Sequence, residues 1–225
     1  MEPTYLLAKG ILKPFLRLWF RWHIEGMENI PKEGPALLAV NHIAYLDPLA
    51  AAFVVDSRGR RPRFLAKSEL FLDRRIAWIL RGAKQIEVMR GTESAPMALD
   101  HAFAALDAGE IVVVFPEGTI TTNQDLSPME ARTGIVRLAL GSGVPIVPMA
   151  LWGTANIWGK GYAKRWWPRQ ELCVRIGAPM TVSGSLEQPH TWRRTGAEIM
   201  EEIARLLAGI RPVVPDRRRP KREAA

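Results

Sequence analysis

A chain of 225 residues, 48% hydrophobic and 24% charged, is large enough for one domain with a sizeable core and too apolar to be disordered throughout. No stretch reaches the ~18 uncharged apolar residues that crossing a bilayer requires, and the first residues lack the apolar run and small-residue cleavage site of a secretory signal. The formal net charge of +8 is concentrated towards the two ends, which points to an anionic partner: nucleic acid, lipid headgroups or a phosphorylated substrate.

Residues 5–22 carry Lys9, Lys13, Arg17 and Arg21 at every fourth position, with Leu, Ile, Phe and Trp over the rest. On a helix this spacing predicts a slowly drifting basic stripe beside a wide apolar face. Such a helix suits either a membrane interface or the chain's own core. Pro14 is expected to kink or split it. We take residues 1–22 as an amphipathic membrane-binding segment. From residue 23 short apolar runs alternate with helical stretches. Ala36–Val40 reads as a buried strand, followed by a helix from near Asp47. Arg63–Ala66 is a second strand, Arg75–Arg81 a helix and Gln85–Met89 a third strand. Ala95–Ala108 is a helix closed by Gly109, and Ile111–Phe115 is the clearest strand. Ile135–Leu140 continues a helix ending at Gly141, Val144–Ala150 and Leu172–Ile176 are strands, and Leu186–Leu207 is a long helix. This alternation predicts an α/β domain over residues 23–210, with a largely parallel mixed sheet flanked by helices. Residues 211–225 are rich in Arg and Pro and read as a disordered basic tail. Cys173 stands alone, so there is no internal disulfide framework and no cysteine-based metal site. In its alternating run it reads as a buried, inert thiol, which fits a reducing compartment.

Two constellations carry chemistry. In Leu37–Pro48 a strand runs into Asn41-His42 and a helix begins at Asp47, with Pro48 in the favoured first helical position. His42 and Asp47 are five residues apart and would lie on different faces of one continuous helix. A turn between strand and helix can fold them together. The carboxylate would then hold one imidazole nitrogen and leave the other as a base near neutral pH. Asp47 is also a competent helix N-cap whatever else it does. In Ile111–Thr119 a second buried strand ends in a turn built by Pro116 and Gly118, presenting Glu117 at the sheet edge. A carboxylate there can bind substrate hydroxyls or brace neighbouring loops. Open α/β sheets place their sites at such strand ends.

Asn-His-x4-Asp at 41–47 followed by Phe-Pro-Glu-Gly-Thr at 115–119 resembles the glycerophospholipid acyltransferase family, especially its lysophosphatidic acid acyltransferases. Lys67-Ser-Glu-Leu-Phe71 with the strand ending at Arg90 looks like the family's second motif, and Gly143–Pro148 like its fourth. The resemblance implies the glycerolipid acyltransferase fold. It also implies an acyl chain passing from acyl-CoA or acyl-carrier protein to the sn-2 hydroxyl of 1-acylglycerol 3-phosphate, giving phosphatidic acid. His42 would be the general base and Asp47 its orienting partner. Asn41, Glu117, Gly118 and Thr119 would shape the acceptor site, and Lys67 and Arg90 would meet its phosphate. No metal or cofactor is called for, because a thioester is already activated. The enzyme would sit peripherally on the cytoplasmic face of the cell membrane, against an anionic surface. The family's Phe-Pro-Glu-Gly-Thr is commonly followed by Arg-Ser, whereas Ile120-Thr121 follows here; Arg132 lies where the family often has a lysine before glycine.

A third feature, Ile157–Arg169, interleaves aromatic residues with cations. It fits a belt at headgroup level and equally a surface that stacks single-stranded nucleic acid. Another lysophospholipid or glycolipid acceptor is an alternative substrate. A lipid- or nucleic-acid-binding module without activity is the alternative from another class. The His42–Asp47 pair favours the enzyme, with no nucleic-acid partner expected.

Overall fold

The computed structural model describes residues 3–88, 95–184 and 188–219. The chain runs through α1 (Pro3–Trp19), β1 (Phe20–Glu25), β2 (Ala36–Val40), α2 (Asp47–Ser57), β3 (Pro62–Lys67), α3 (Glu69–Leu72), α4 (Arg74–Gly82) and β4 (Ile86–Val88). It continues through α5 (Ala95–Asp107), β5 (Ile111–Val114), α6 (Thr133–Ser142), β6 (Ile146–Trp152), α7 (Ala155–Trp158), β7 (Gln170–Ile176) and α8 (Pro189–Ile210). The strands form one sheet in the order β1-β7-β6-β2-β5-β3-β4. All neighbours are parallel except β6 and β7, so β1 and β7 run against the rest.

The uninterrupted apolar runs became the middle of the sheet. β2, β5 and β6 are buried at every position, as expected of parallel strands covered on both faces. Alternate residues of β2 serve the two faces. Leu37 and Ala39 pack with residues of α5, α6 and α8, while Leu38 and Val40 pack with Ala50, Ala51, Val54 and Val55 of α2. The result is a three-layer α/β domain, a largely parallel mixed sheet between helices. Because β2, β3, β5 and β6 point the same way, their C-terminal ends bring His42, Lys67, Glu117 and Thr154 to one edge.

Both ends of the chain differ from the expectation. The first helix continues through Pro14 and stops at Trp19; residues 20–22 open β1. Pairing decides this. Phe20, Trp22 and Ile24 lie in register along β7, and Phe20 is buried with Leu16, Leu46, Phe53 and Leu172. The tail is the second difference, since residues 211–219 are bonded to the domain although most of them are exposed. Val214 is buried and its carbonyl accepts a 2.6 Å hydrogen bond from Trp152 Nε1. Asn156 donates to the Pro215 carbonyl at 3.0 Å and accepts from the Arg217 N–H at 2.6 Å, and the Ala163 N–H donates to the Arg219 carbonyl. Arg211 lies over the Trp152 ring and Arg218 over the Tyr162 ring. Cation–π contacts and backbone bonding offset the charge that argued for disorder. Residues 220–225, Met89 and the expected helix start at Leu186 lie outside the described residues.

The amphipathic helix α1 turns part of its basic stripe inward. Lys9 and Lys13 reach Asp56 of α2 at 2.7 and 2.5 Å, and the Tyr5 hydroxyl donates to the same carboxylate at 3.1 Å. Burial pushes the Asp56 carboxyl up, but the two ammonium groups outweigh it and hold it below the usual range. Leu6, Leu7, Ile11, Phe15 and Leu18 are left exposed. Among the described residues no helix is long and apolar enough to cross a membrane.

Candidate active site

His42 lies in the turn between β2 and α2, and that turn is built around Asp47. Asp47 is fully buried. Its Oδ2 accepts the Ile43 N–H at 2.6 Å, the Ala44 N–H at 2.7 Å and a hydrogen bond from His42 Nδ1 at 2.9 Å. Its Oδ1 accepts the Thr154 hydroxyl at 2.6 Å. Four donors on one carboxylate compensate for taking the charge out of water. The N-cap of α2 is Leu46, so the carboxylate folds back over the turn and does not cap the helix as its position suggests. That fold closes the five-residue gap between His42 and Asp47.

The geometry assigns the imidazole nitrogens. An acceptor-only carboxylate requires the proton on Nδ1, which leaves Nε2 to accept one. The ring is stacked on Phe115 at 4.3 Å between centroids, and its side chain keeps 16% of its surface exposed. The His42 backbone is pinned as well: its N–H donates to Glu117 Oε1 at 2.8 Å and its carbonyl accepts the Thr121 N–H at 2.7 Å. Only the imidazole edge is left for a reactant.

The other expected residues divide by accessibility. Glu117 is 2% exposed and both oxygens are engaged, Oε1 by His42 and Oε2 by the Met129 N–H at 3.1 Å. Of its two possible roles it takes that of a brace: it is not free to bind a substrate hydroxyl. Burial pushes its carboxyl up, against the downward pull of the two N–H donors. Asn41 also departs from the expected ligand role. It is fully buried, with Nδ2 on the Leu151 carbonyl and Oδ1 on the Leu151 N–H, and so stitches β2 to β6. Gly118 adopts φ +72 in the turn after Pro116, a left-handed conformation that favours glycine. Thr119 is partly exposed beside it. Lys67 is exposed at the end of β3, two strands from His42. Arg132 is exposed at the start of α6, and its N–H donates to the Pro116 carbonyl at 2.8 Å. Arg90 lies outside the described residues. Among those residues no cluster of His, Cys, Asp or Glu could hold a metal ion. The Cys173 thiol is buried, and burial pushes its pKa to about 11.

Sequence reasoning missed Thr154 and the ring of Phe115. Thr154 follows β6, which neighbours β2, so its hydroxyl becomes visible only once the strand order is known. Phe115 was legible as the end of β5 but gave no sign of facing an imidazole.

Known proteins resemble this chain in sequence and in fold. A family model described as acyltransferase matches residues 21–152, more than half of the chain. The 1-acyl-sn-glycerol-3-phosphate acyltransferase of Borreliella burgdorferi is 29% identical over 170 residues, covering 70% of this chain and 62% of its own length. A chloroplastic enzyme of the same name from Brassica napus is 28% identical over 145 residues, covering 64% and 40%. This chain spans about two fifths of the length of the chloroplastic relatives it matches. The crystal structure of the 1-acyl-sn-glycerophosphate (LPA) acyltransferase of Thermotoga maritima superposes with a TM-score of 0.68 at 25% identity, covering 91% of this chain and 81% of that one. On the strength of the family match and the shared fold, this chain belongs to the acyltransferase family.

Proposed function

We propose that the chain transfers an acyl group from a thioester, acyl-CoA or acyl-carrier protein, to the sn-2 hydroxyl of 1-acylglycerol 3-phosphate at a membrane surface. The observation that carries this reading is the His42 Nδ1–Asp47 bond at 2.9 Å, made to a buried carboxylate that three further donors hold still. A pair so fixed is preorganised for proton transfer. Nε2 of His42 takes the proton from the acceptor hydroxyl as its oxygen attacks the thioester carbonyl. The tetrahedral intermediate then collapses, the carbon–sulfur bond breaks, and the departing thiolate takes the proton back from His42. Asp47 offsets the positive charge that His42 carries between those two events. No covalent enzyme intermediate forms.

Exposed Lys67, with Arg90 and Arg132, supplies the cations for the acceptor phosphate. Asn41, Glu117 and Gly118 shape the site through the backbone they hold. The names of the relatives favour a lysophosphatidic acid acceptor, and the bare apolar face of α1 supports peripheral attachment, on our reading at the cytoplasmic face. The test is transfer of a radiolabelled acyl chain from acyl-CoA to 1-acylglycerol 3-phosphate in vesicles. Replacing His42 with Ala is expected to lower turnover by about 10²–10⁴-fold with the fold intact. Turnover near wild type in that variant would sink the mechanism.

A further inference from the structure

The hydroxyl that reaches Asp47 comes from a position where threonine ordinarily does something else. Thr154 is the N-cap of α7, and an N-cap hydroxyl usually accepts a free N–H of the first helical turn. Here it makes no capping bond and is turned the other way, donating to Asp47 Oδ1 at 2.6 Å. Both residues are buried. Gly153 makes the turn possible: at φ +92 it bends the chain out of β6, and a Cβ there would collide with the Glu171 carbonyl oxygen.

The residues on either side of this turn are fastened to the same distant segment. Trp152 Nε1 donates to the Val214 carbonyl at 2.6 Å, and the Arg211 guanidinium lies over the Trp152 ring. The buried Asn156 amide reaches the segment with both of its polar atoms. Nδ2 donates to the Pro215 carbonyl at 3.0 Å, and Oδ1 accepts the Arg217 N–H at 2.6 Å. These partners fix which way the amide points, since one only accepts and the other only donates. Ile43 and Ala44, whose N–H groups bind Asp47 Oδ2, belong to the same buried cluster as Trp152, Ala155, Ile210 and Val214. The stretch after α8 is therefore joined, through buried side chains and hydrogen bonds, to the donors on both oxygens of Asp47.

We propose that residues 211–217 form a positioning element for the catalytic pair, anchored at Asn156 and acting on Asp47 through Thr154 as the positioning residue. The inference rests on the acyl-transfer reading. A threonine hydroxyl rotates freely unless its surroundings hold it, and a hydroxyl at a helix N-cap has the helix's own N–H groups as a competing partner. Holding the β6–α7 turn at Trp152 and at Asn156 keeps the Thr154 hydroxyl on Oδ1. A buried carboxylate short of a donor pulls harder on the proton it shares with His42 Nδ1. It also lets the imidazole edge drift from the line of proton transfer. Thr154 is buried, with Asp47 between it and His42, so its contribution falls on the chemical step and not on substrate binding.

The experiment compares the full wild-type chain with Thr154→Val, Thr154→Ser, Asn156→Ala and Arg217→Pro. It reads kcat and KM for acyl-CoA and 1-acylglycerol 3-phosphate. Without substrate, it also reads the downfield proton resonance of His42 Nδ1, identified by its loss in His42→Gln. Thr154→Val keeps the volume and removes the hydroxyl; it is expected to lower kcat by about 10²-fold with both KM values unchanged, and to move the resonance. Thr154→Ser keeps the hydroxyl and should restore most of both. Asn156→Ala should lower kcat by about tenfold in the same pattern. Arg217→Pro removes only the N–H that Asn156 accepts, at an exposed position, and should act in the same direction even if Asn156→Ala does not fold. Wild-type kcat and resonance in Thr154→Val, or no recovery in Thr154→Ser, would overturn the role of the hydroxyl. Wild-type kcat in Arg217→Pro and in a folded Asn156→Ala would overturn the role of the segment, as would a change confined to KM. A resonance that responds as expected in a chain that acylates no lyso-lipid would refute the functional reading and leave the coupling standing.

Discussion

The turn around Asp47 and the helix α1 are both organised by a single aspartate, and they use it in opposite ways. Asp47 is fully buried, takes four hydrogen bonds from four different groups and fixes one imidazole nitrogen. Asp56 is also buried, but it gathers two partly exposed lysines and a tyrosine from one neighbouring helix. The first arrangement has no slack, which is what a proton-transfer site needs. The second holds α1 to the domain by a few side chains on one side and leaves its outer face apolar and uncovered. The His42 turn is held by two backbone and two side-chain donors on one carboxylate, and α1 by two lysines, a tyrosine and the buried Leu16.

The sharpest way to break that contrast is to remove the charge of Asp47 and keep its shape. In Asp47→Asn the carbonyl oxygen can still accept from Ile43, Ala44 and His42, while the amide donates to a rotated Thr154 hydroxyl. We expect acyl transfer to fall by about 10²–10⁴-fold with the melting temperature little changed, because the charged form of His42 loses its counter-ion. Activity within a fewfold of wild type would mean that Asp47 only shapes the turn.

The second prediction concerns the bare face of α1. Ile11 is 64% and Leu18 81% exposed, two turns apart on the same side. Ile11→Glu with Leu18→Glu should reduce binding to anionic vesicles by about tenfold or more, since each lost apolar contact is worth roughly 1.5–3 kcal/mol. Turnover of a short-chain, water-soluble acceptor should be unchanged. Vesicle co-sedimentation of the variant at wild-type levels would remove α1 from the attachment surface.

The smallest expected effect is at Asp56. Its carboxyl is held below the ordinary range, so the stability it contributes is present above the ordinary carboxylate pKa and is lost as pH falls through the lower folded value. Asp56→Asn should forfeit about 1 kcal/mol near neutral pH, no more because the lysine partners are about one third exposed. Hydrogen exchange should rise in α1 and not in β2 or β5. Unfolding curves taken from neutral pH down into the acid range should converge for the two proteins at the acid end, and a constant gap would contradict the assignment.

Much of this was legible beforehand, for identifiable reasons. Ala36–Val40 was readable to the residue because a strand buried on both faces must be apolar throughout. The His42–Asp47 and Glu117 turns were readable because Pro48, Pro116 and Gly118 punctuate the ends of such strands. β1 was not readable. Phe20-Arg-Trp-His-Ile-Glu25 continues the basic spacing of the helix before it, and only β7 alongside makes it extended. The packing of residues 211–219 was hidden for a related reason. Their partners Trp152, Asn156 and Tyr162 lie about fifty or more residues away, and local composition spoke for disorder.

The amino-acid order by itself determined the α/β alternation and the two strand-end turns that carry His42, Asp47 and Glu117, because those depend on local periodicity and turn chemistry. Tertiary structure alone decided that both oxygens of Glu117 are taken by backbone N–H groups and that Thr154 joins the donors on Asp47. It also turned Asn41 into a stitch between strands, aimed Lys9 and Lys13 at Asp56, and laid the basic segment 211–219 against the carbonyls of Gln124 and Asp125. These outcomes depend on strand order and on donors brought together from distant parts of the chain, and no local pattern encodes them.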